Sequence, residues 1–227
     1  MREIVLDTET TGLDPDTGDR IVELGAVELV NHMPTGRVFH RYVNPERDVP
    51  PDAVAVHGLT SGFLADKPVF RAVAAEFVDF LADARLVIHN AAFDMKFLNA
   101  ELGWAGHPGL PWARALDTLE LARRRYPGAQ NTLDALCRRF GVDNTGRTKH
   151  GALLDSELLA EVYLELIGGR QPDLVLTVVT ATTVTGGPWI PPPRPRPLPP
   201  RLSEAEAAAH AAFVAELGDE ALWLRRS

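Results

Sequence analysis

The sequence predicts an α/β domain with a mixed sheet flanked by helices, followed by a flexible C-terminal tail. Three β-branched segments lie close together near the N-terminus, and strand and helix patterns alternate after them. This pattern stops at Gly168-Gly169, and a proline-rich stretch follows. We therefore expect a folded domain at residues 1–169, a linker at 170–202 and a separate terminal segment at 203–227.

Strand signals dominate the first part of the domain. The segments EIVLD at residues 3–7, RIVELGAVELV at 20–30 and RVFHRYVN at 37–44 are rich in β-branched residues, and turn residues such as DPDTGD separate them. Consecutive strands of this kind most simply pair as a meander. Farther along the chain, the pattern predicts a helix near 69–81 and a strand, RLVIHN, at 85–90.

Helical spacing dominates the rest of the domain. Apolar residues recur at helical intervals near residues 93–102, 115–124, 132–140 and 152–167. Cys137 lies in the third of these segments and is the only cysteine, so an intramolecular disulfide is excluded. We expect a buried thiol in a cytoplasmic protein.

The charge balance restricts how this protein could bind a nucleic acid. Lys and Arg together number 23, and Asp and Glu 31, which gives a formal net charge of −8. The chain as a whole repels a phosphate backbone, so a nucleic-acid function needs bound cations or a partner protein. The acidic N-terminus does not resemble a signal peptide, and the long uncharged stretch at residues 174–193 is too polar for a membrane span. We expect no membrane contact.

The C-terminal region has a composition of its own. Eight of the thirteen residues at 188–200 are proline, which favours an extended, semi-rigid linker. Beyond it, Ser203 is followed three residues later by Glu206, the signature of a capping box at the start of a short helix. A segment of this size cannot fold alone. It either docks on its own domain or, as we expect, folds on a partner.

Three carboxylates lie at or just after the ends of two predicted strands. Asp7 and Glu9 end the first strand, and the strand period of two points both side chains to one face, where two like charges are costly without a cation. Asp94 follows the strand RLVIHN, near the sheet edge where active sites of α/β folds gather. Taken singly, Asp7 and Glu9 are equally explained as acids at a solvated strand end, and Asp94 as an acid that is favoured at a helix N-terminus.

A fourth carboxylate and a histidine lie near the last helix of the domain. Asp155 is surrounded in sequence by leucines, where a bare carboxylate is expensive. His150 precedes it by five residues, which would place the two about 140° apart in a single helix. We therefore expect His150 in the preceding loop or first turn. The combined set of acids suits Mg²⁺ or Mn²⁺ and suggests two-metal phosphoryl chemistry, whereas no zinc motif or Walker A motif is present.

Five motifs in a fixed order carry a resemblance to a known family. They are DTETTG at residues 7–12, VHG at 56–58, HNAAFD at 89–94, TLDAL at 132–136 and HGALLD at 150–155. In this order they strongly resemble the DEDDh 3′–5′ exonucleases, and within them the proofreading subunits of bacterial replicative DNA polymerases. The resemblance implies a ribonuclease-H-like fold and removal of mispaired 3′-terminal nucleotides as monophosphates.

The resemblance also implies roles for the acids and the histidine. Asp7 would bridge two divalent ions, Mg²⁺ or Mn²⁺. Glu9 and Asp155 would complete one ion site, and Asp94 would hold the second ion. His150 would accept the proton from the attacking water.

A single-stranded or frayed 3′ end of DNA is the substrate that the resemblance implies. The residues that would contact it are Asp7, Glu9, Thr10, Leu13, Asp52, His57, Phe93 and Asp155. The backbone near Thr10 would meet the 3′-OH, Leu13 would wedge against the terminal base, and His57 and Phe93 would surround the terminal nucleotide. Asp52 stands where the family often has a longer glutamate. Without the resemblance, Thr10 would be interpreted as a turn residue, Leu13 and Phe93 as core residues, and His57 as a loop histidine.

The tail resembles partner-binding segments of the same family. QPDLVL at residues 171–176 is similar to a sliding-clamp-binding peptide, with Gln171, Leu174 and Leu176 as anchors, although it could also be plain linker. Residues 203–227 are similar to a segment that binds the catalytic subunit of a replicative polymerase. An RNA-trimming exonuclease and a non-catalytic scaffold are the alternative functions. The tail argues against the first, and the retention of all five catalytic residues argues against the second.

Overall fold

A computed structural model describes residues 1–146, 149–169 and 202–218. The described residues up to 169 form one compact unit, and residues 202–218 belong to a second, which is described by itself. Residues 170–201 of the predicted linker, with the predicted clamp anchors Gln171, Leu174 and Leu176, and residues 219–227 of the predicted polymerase-binding segment lie outside the described residues.

The first unit is built on a five-stranded mixed sheet. Its strands are β1 (Arg2–Thr10), β2 (Ile21–Val30), β3 (Met33–Tyr42), β4 (Arg85–Ile88) and β5 (Ala115–Asp117), in the order β3-β2-β1-β4-β5. The first three pair antiparallel, whereas β4 lies parallel to β1 and β5 parallel to β4. The predicted meander and mixed sheet are therefore confirmed.

Among the described residues of the first unit, seven α-helices accompany the sheet. They are α1 (Pro51–His57), α2 (Ser61–Leu64), α3 (Phe70–Leu81), α4 (Ala91–Ala105), α5 (Thr118–Arg125), α6 (Leu133–Phe140) and α7 (Ala152–Leu166). The helices expected near 69–81, 93–102, 132–140 and 152–167 are all present, and Cys137 is buried in α6 as predicted. The sequence pattern did not predict α1 or α2.

One predicted helix was partly wrong. The segment expected to be helical from residue 115 instead begins with β5, and α5 starts at Thr118. The three residues of β5 pair with β4, where Leu86 is opposite Ala115 and Ile88 is opposite Asp117. A strand this short shows no alternation, so the helical spacing of the following residues concealed it.

The alternation of β1 divides the core into two layers. Ile4 and Leu6 pack in the larger core with α3 and α4, whereas Val5 packs on the opposite face with α7. Asp7 and Glu9 continue the parity of Val5, and Thr8 continues that of Leu6. The end of β1 therefore presents polar side chains toward both helix layers.

Helix α7 crosses the sheet at Gly25 of β2. A Cβ on Gly25 would lie 2.1 Å from the carbonyl carbon of Ala152, so only glycine permits this approach. The Ser156 hydroxyl lies 3.0 Å from the Gly25 carbonyl oxygen and 2.8 Å from that of Ala152. Because Gly25 is paired with Asp7, the first turn of α7 lies next to the end of β1.

The second unit contains α8 (Glu204–Glu216). The Ser203 side chain accepts a hydrogen bond from the Glu206 amide, and the Glu206 side chain accepts one from the Ser203 amide, which confirms the predicted capping box. Across the described parts of the chain, no helix has the length and apolar character required to cross a bilayer.

Candidate active site

A cavity of about 920 Å³ opens at the end of β1. Six of the predicted site residues line it, namely Asp7, Glu9, Phe93, Asp94, His150 and Asp155. They come from β1, the first turn of α4, the loop before α7 and the first turn of α7. The fold therefore brings together, from four separate segments, the four acids predicted as ion ligands and the predicted general base.

Glu9, His150 and Asp155 form the tightest group in the cavity. One potential ligand atom from each lies within 4.8 Å of the others. Glu9 and Asp155 are almost fully buried, and His150 Nδ1 lies 3.2 Å from Asp155 Oδ2. Asp7 lies on the same face of β1 as Glu9 and also lines the cavity.

Helix α1 supports the loop that carries His150. The His150 amide donates to the Val56 carbonyl oxygen at 3.2 Å, and Lys149 Nζ donates to the Val54 carbonyl oxygen at 3.1 Å. His150 precedes α7, as its spacing from Asp155 predicted. Its side chain is 49% exposed, which leaves the imidazole accessible to water.

Asp94 approaches the cavity from the opposite helix layer. The Thr8 hydroxyl donates to Asp94 Oδ1 at 2.8 Å, and the aspartate is only 3% exposed. Burial raises the pKa of Asp94 to about 7, although the hydrogen bond from Thr8 partly opposes this effect. A cation beside this carboxylate would favour its ionised form.

The donor set fits divalent ions that prefer oxygen. The carboxylates of Glu9, Asp94 and Asp155 are buried, and burying a carboxylate is costly unless hydrogen bonds or positive charge compensate for its lost hydration. Carboxylate oxygens are the usual protein ligands of Mg²⁺ and Mn²⁺. The arrangement can therefore hold such ions within reach of a half-exposed imidazole.

The predicted substrate contacts are divided between the cavity and its surroundings. Phe93 lines the cavity and packs against Phe97, with ring centroids 4.9 Å apart. Leu13 lies outside the cavity lining and is 84% exposed on the loop after β1, so it is not a core residue. Thr10 is buried, and its hydroxyl donates to the Gly12 carbonyl oxygen at 2.6 Å.

His57 and Asp52 lie on α1, outside the cavity lining. His57 is buried in the last turn of the helix, not in a loop. Its Nδ1 accepts a hydrogen bond from the Leu59 amide at 3.0 Å, which places the ring proton on Nε2. Burial lowers the pKa of His57, with the Thr10 backbone partly offsetting this, so the ring is a neutral donor. Asp52 is exposed in the first turn of α1.

Several cavity residues were not selected from the sequence. Thr8 stands between the two acids of β1, and its contact with Asp94 depends on packing across the sheet edge. His89 Nδ1 lies 3.0 Å from the Thr118 hydroxyl, and Arg123 lines the cavity from the last turn of α5. In the sequence, Arg123 is marked only by its place in a run of three arginines. Because arginine greatly outnumbers lysine throughout the chain, this run did not indicate a functional site.

Comparison with known proteins identifies the family. The RNase_T model, described as Exonuclease, matches residues 4–163. A DNA polymerase III subunit epsilon of Rickettsia felis is 58% identical over 174 residues, which cover 75% of this chain and 76% of the relative. The Escherichia coli K12 subunit is 49% identical over 177 residues, which cover 74% of this chain and 72% of that relative.

The chain belongs to the DNA polymerase III epsilon family. As an epsilon-family protein, it is a 3′–5′ DNA exonuclease with a proofreading function. The family is part of the DEDDh exonucleases, which depend on divalent metal ions. The resemblance found in the five sequence motifs is therefore confirmed.

Solved structures agree with the epsilon-family fold. Exonuclease X in complex with 5′ overhanging duplex DNA superposes with a TM-score of 0.57 at 27% identity, covering 73% of this chain and 90% of that one. The nuclease domain of 3′hExo, a DEDDh family member bound to rAMP, gives a TM-score of 0.64 at 21% identity, covering 73% and 91%. The predicted ribonuclease-H-like fold is confirmed.

Proposed function

We propose that this epsilon-family exonuclease hydrolyses the terminal phosphodiester of a single-stranded or frayed 3′ end of DNA with two bound Mg²⁺ or Mn²⁺ ions. The observation that carries the proposal is the convergence of Asp7, Glu9, Asp94 and Asp155 with His150 in one cavity. In support, exonuclease X, which shares the fold, was solved in complex with DNA.

The acids divide naturally into two ion sites. Glu9 and Asp155 lie close together and would hold one ion, Asp94 lies on the opposite layer and would hold the other, and Asp7 would contribute to both. When bound, two such ions stabilise the attacking and leaving oxygens of an in-line displacement. Bound ions would also neutralise the cavity carboxylates, which otherwise repel the phosphate backbone.

His150 is the candidate general base. A base must be oriented and within reach of the attacking water. Asp155 Oδ2 lies 3.2 Å from His150 Nδ1 and can hold the imidazole, while the half-exposed ring can take a proton and pass it to solvent. Proton removal by His150 would leave the nucleophile ready for attack on the phosphorus.

The terminal nucleotide would lie between Phe93 and the loop after β1. The Phe93 ring lines the cavity, where a base could stack on it. The Leu13 side chain is already exposed, so it can contact a base without a change in the core. The Nε2 proton of His57 and the backbone near Thr10 would provide polar contacts. Asp52, which is exposed and one methylene shorter than the residue common in the family, would reach the nucleotide less readily.

The remaining segments would deliver the enzyme to its substrate in the cytoplasm. We assign residues 170–202 to the clamp-binding peptide and linker, with Gln171, Leu174 and Leu176 as clamp anchors, and residues 203–227 to polymerase binding. Tethering would supply the local DNA concentration that a chain of charge −8 cannot obtain by attraction. Deleting residues 201–227 should abolish co-elution with the polymerase while sparing digestion of free strands. Co-elution of the shortened chain would contradict this assignment.

The ion and base roles are tested by comparing Asp155→Ala with His150→Ala. Asp155→Ala should abolish Mg²⁺-dependent digestion of single-stranded DNA and weaken Mn²⁺ binding, because an oxygen ligand is lost. His150→Ala should lower turnover by about 10²- to 10⁴-fold with Mn²⁺ binding nearly unchanged. Undiminished digestion by Asp155→Ala would refute the ion assignment, and loss of ion binding in His150→Ala would make the histidine a ligand.

A further inference from the structure

The last residue of β5, Asp117, binds the starts of two helices. Its Oδ1 accepts hydrogen bonds from the amides of Leu119 at 2.8 Å and Asn90 at 3.1 Å. Its Oδ2 accepts one from the Ala91 amide at 3.1 Å. The carboxylate therefore caps its own helix, α5, and also the neighbouring helix α4.

Helix α4 lacks a cap of its own. Its N-cap residue, Asn90, has φ 65° and ψ 54°, and its side chain makes no capping hydrogen bond. A non-glycine residue in this left-handed region is strained and needs support from its surroundings. Asp117, which is 27 residues away from Asn90, supplies that support through the backbone.

The start of α4 determines where two cavity residues lie. Phe93 and Asp94 stand in the first turn after Asn90, and both line the cavity. The Thr8 hydroxyl holds Asp94 from the β1 side, whereas Asp117 holds the helix start from the β5 side. Displacement of the first turn would move the Asp94 carboxylate relative to the acids of β1, and ion sites tolerate only small errors in ligand position.

We propose that Asp117 is a positioning residue that fixes the first turn of α4, and with it Asp94, for the second ion site. The inference rests on the proposed ion-binding role of Asp94. Asp117 itself would not touch the ion or the substrate. Its carboxylate would position Asp94 through the Asn90 and Ala91 amides, in the manner of an outer partner that orients a metal ligand. The negative charge of Asp117 also adds to the raised pKa of Asp94.

The test measures Mn²⁺ binding to the full chain by the electron paramagnetic resonance signal of the free ion, together with thermal unfolding and oligonucleotide digestion. The variants are Asp117→Ala, Asp117→Asn and Asp94→Ala. The matched control is Thr60→Ala, which removes the cap of α2, where the Thr60 hydroxyl oxygen accepts from the Phe63 amide at 3.2 Å. Thr60 lies outside the cavity lining.

We expect Asp117→Ala to weaken Mn²⁺ binding by about 10- to 100-fold at the ion site that Asp94→Ala removes. Digestion should fall in parallel. Asp117→Asn should fold and recover part of this affinity, because its one oxygen still accepts from an amide while its NH₂ group opposes another amide donor. Thr60→Ala should lower the Tm but bind Mn²⁺ as the wild type does.

The outcomes separate this inference from the proposed function. If Asp94→Ala loses one Mn²⁺ site while both Asp117 variants bind like Thr60→Ala, Asp117 is only a structural cap and the inference is overturned. If Asp94→Ala retains both sites, the ion assignment of Asp94 is itself wrong, and the role given to Asp117 falls with it.

Discussion

Asp94 shows how folding and catalysis place opposite demands on one side chain. Its carboxylate is buried beside Thr8, and burial raises its pKa to about 7, whereas ion binding requires the charged form. Without an ion, the folded chain therefore keeps Asp94 mostly protonated below about pH 7. An unfolded chain releases that proton near the ordinary value of 3.8. The residue should make the stability of the metal-free domain depend on pH.

We expect protonated Asp94 to contribute to the stability of the metal-free domain below about pH 4. This contribution should be lost as the pH rises to about 7, because the folded state binds the proton more tightly than the unfolded state does. In EDTA, the free energy of unfolding should fall over this window by up to a few kcal/mol more in the wild type than in Asp94→Asn. Urea denaturation at several pH values measures this difference. Identical pH profiles of the two proteins would show that Asp94 is not a buried, titrating group.

At the scale of the elements, α7 makes a close backbone contact with the sheet at Gly25. Its first turn carries Asp155, and it can reach the end of β1 only because Gly25 leaves room for the Ala152 backbone. Ser156 secures the same crossing with its hydroxyl. Packing at this point therefore helps to set the distance between Asp155 and the acids of β1.

Gly25→Ala should destabilise the domain by about 1–3 kcal/mol or more, because the added Cβ meets backbone that cannot move without shifting α7. Digestion should fall further than the loss of folded protein explains. The control is Gly103→Ala in α4, where the added Cβ meets nothing and helix propensity should raise stability by about 0.5–1 kcal/mol. Equal denaturation midpoints for Gly25→Ala and the wild type would contradict the close approach.

The elements also show what local pattern can predict. Strand alternation placed Asp7 and Glu9 on one face, and helical geometry placed His150 before α7, because both arguments use only neighbouring residues. The contact of Ser156 with Gly25 spans 131 residues of sequence, and no local pattern reports it. Asp117 was concealed for a related reason, since a three-residue strand at a sheet edge has no periodicity.

On the scale of the whole molecule, an acidic protein must hold a polyanion. The chain carries a net charge of −8, and its cavity is lined by several carboxylates. Among the cavity-lining residues in the described part of the chain, Arg123 is the only lysine or arginine. Two bound ions would supply positive charge at the scissile phosphate, and Arg123 would supply it farther along the strand.

Arg123→Ala should raise the KM for oligonucleotides several-fold and reduce the slope of log affinity against log salt by about 1, because one phosphate contact is lost. Turnover of a mononucleotide p-nitrophenyl ester should be unchanged, since it has no upstream phosphate. Arg124→Ala is the control, because Arg124 is the exposed neighbour that does not line the cavity. Equal effects of the two variants would leave Arg123 without a specific role.

The two-ion site is the central claim, and anomalous diffraction from crystals grown with Mn²⁺ and a deoxynucleoside monophosphate tests it most directly. We expect two anomalous peaks in the cavity, both in contact with Asp7, one also with Glu9 and Asp155 and the other with Asp94. A single peak, or peaks whose ligands exclude Asp7, would contradict the two-ion site.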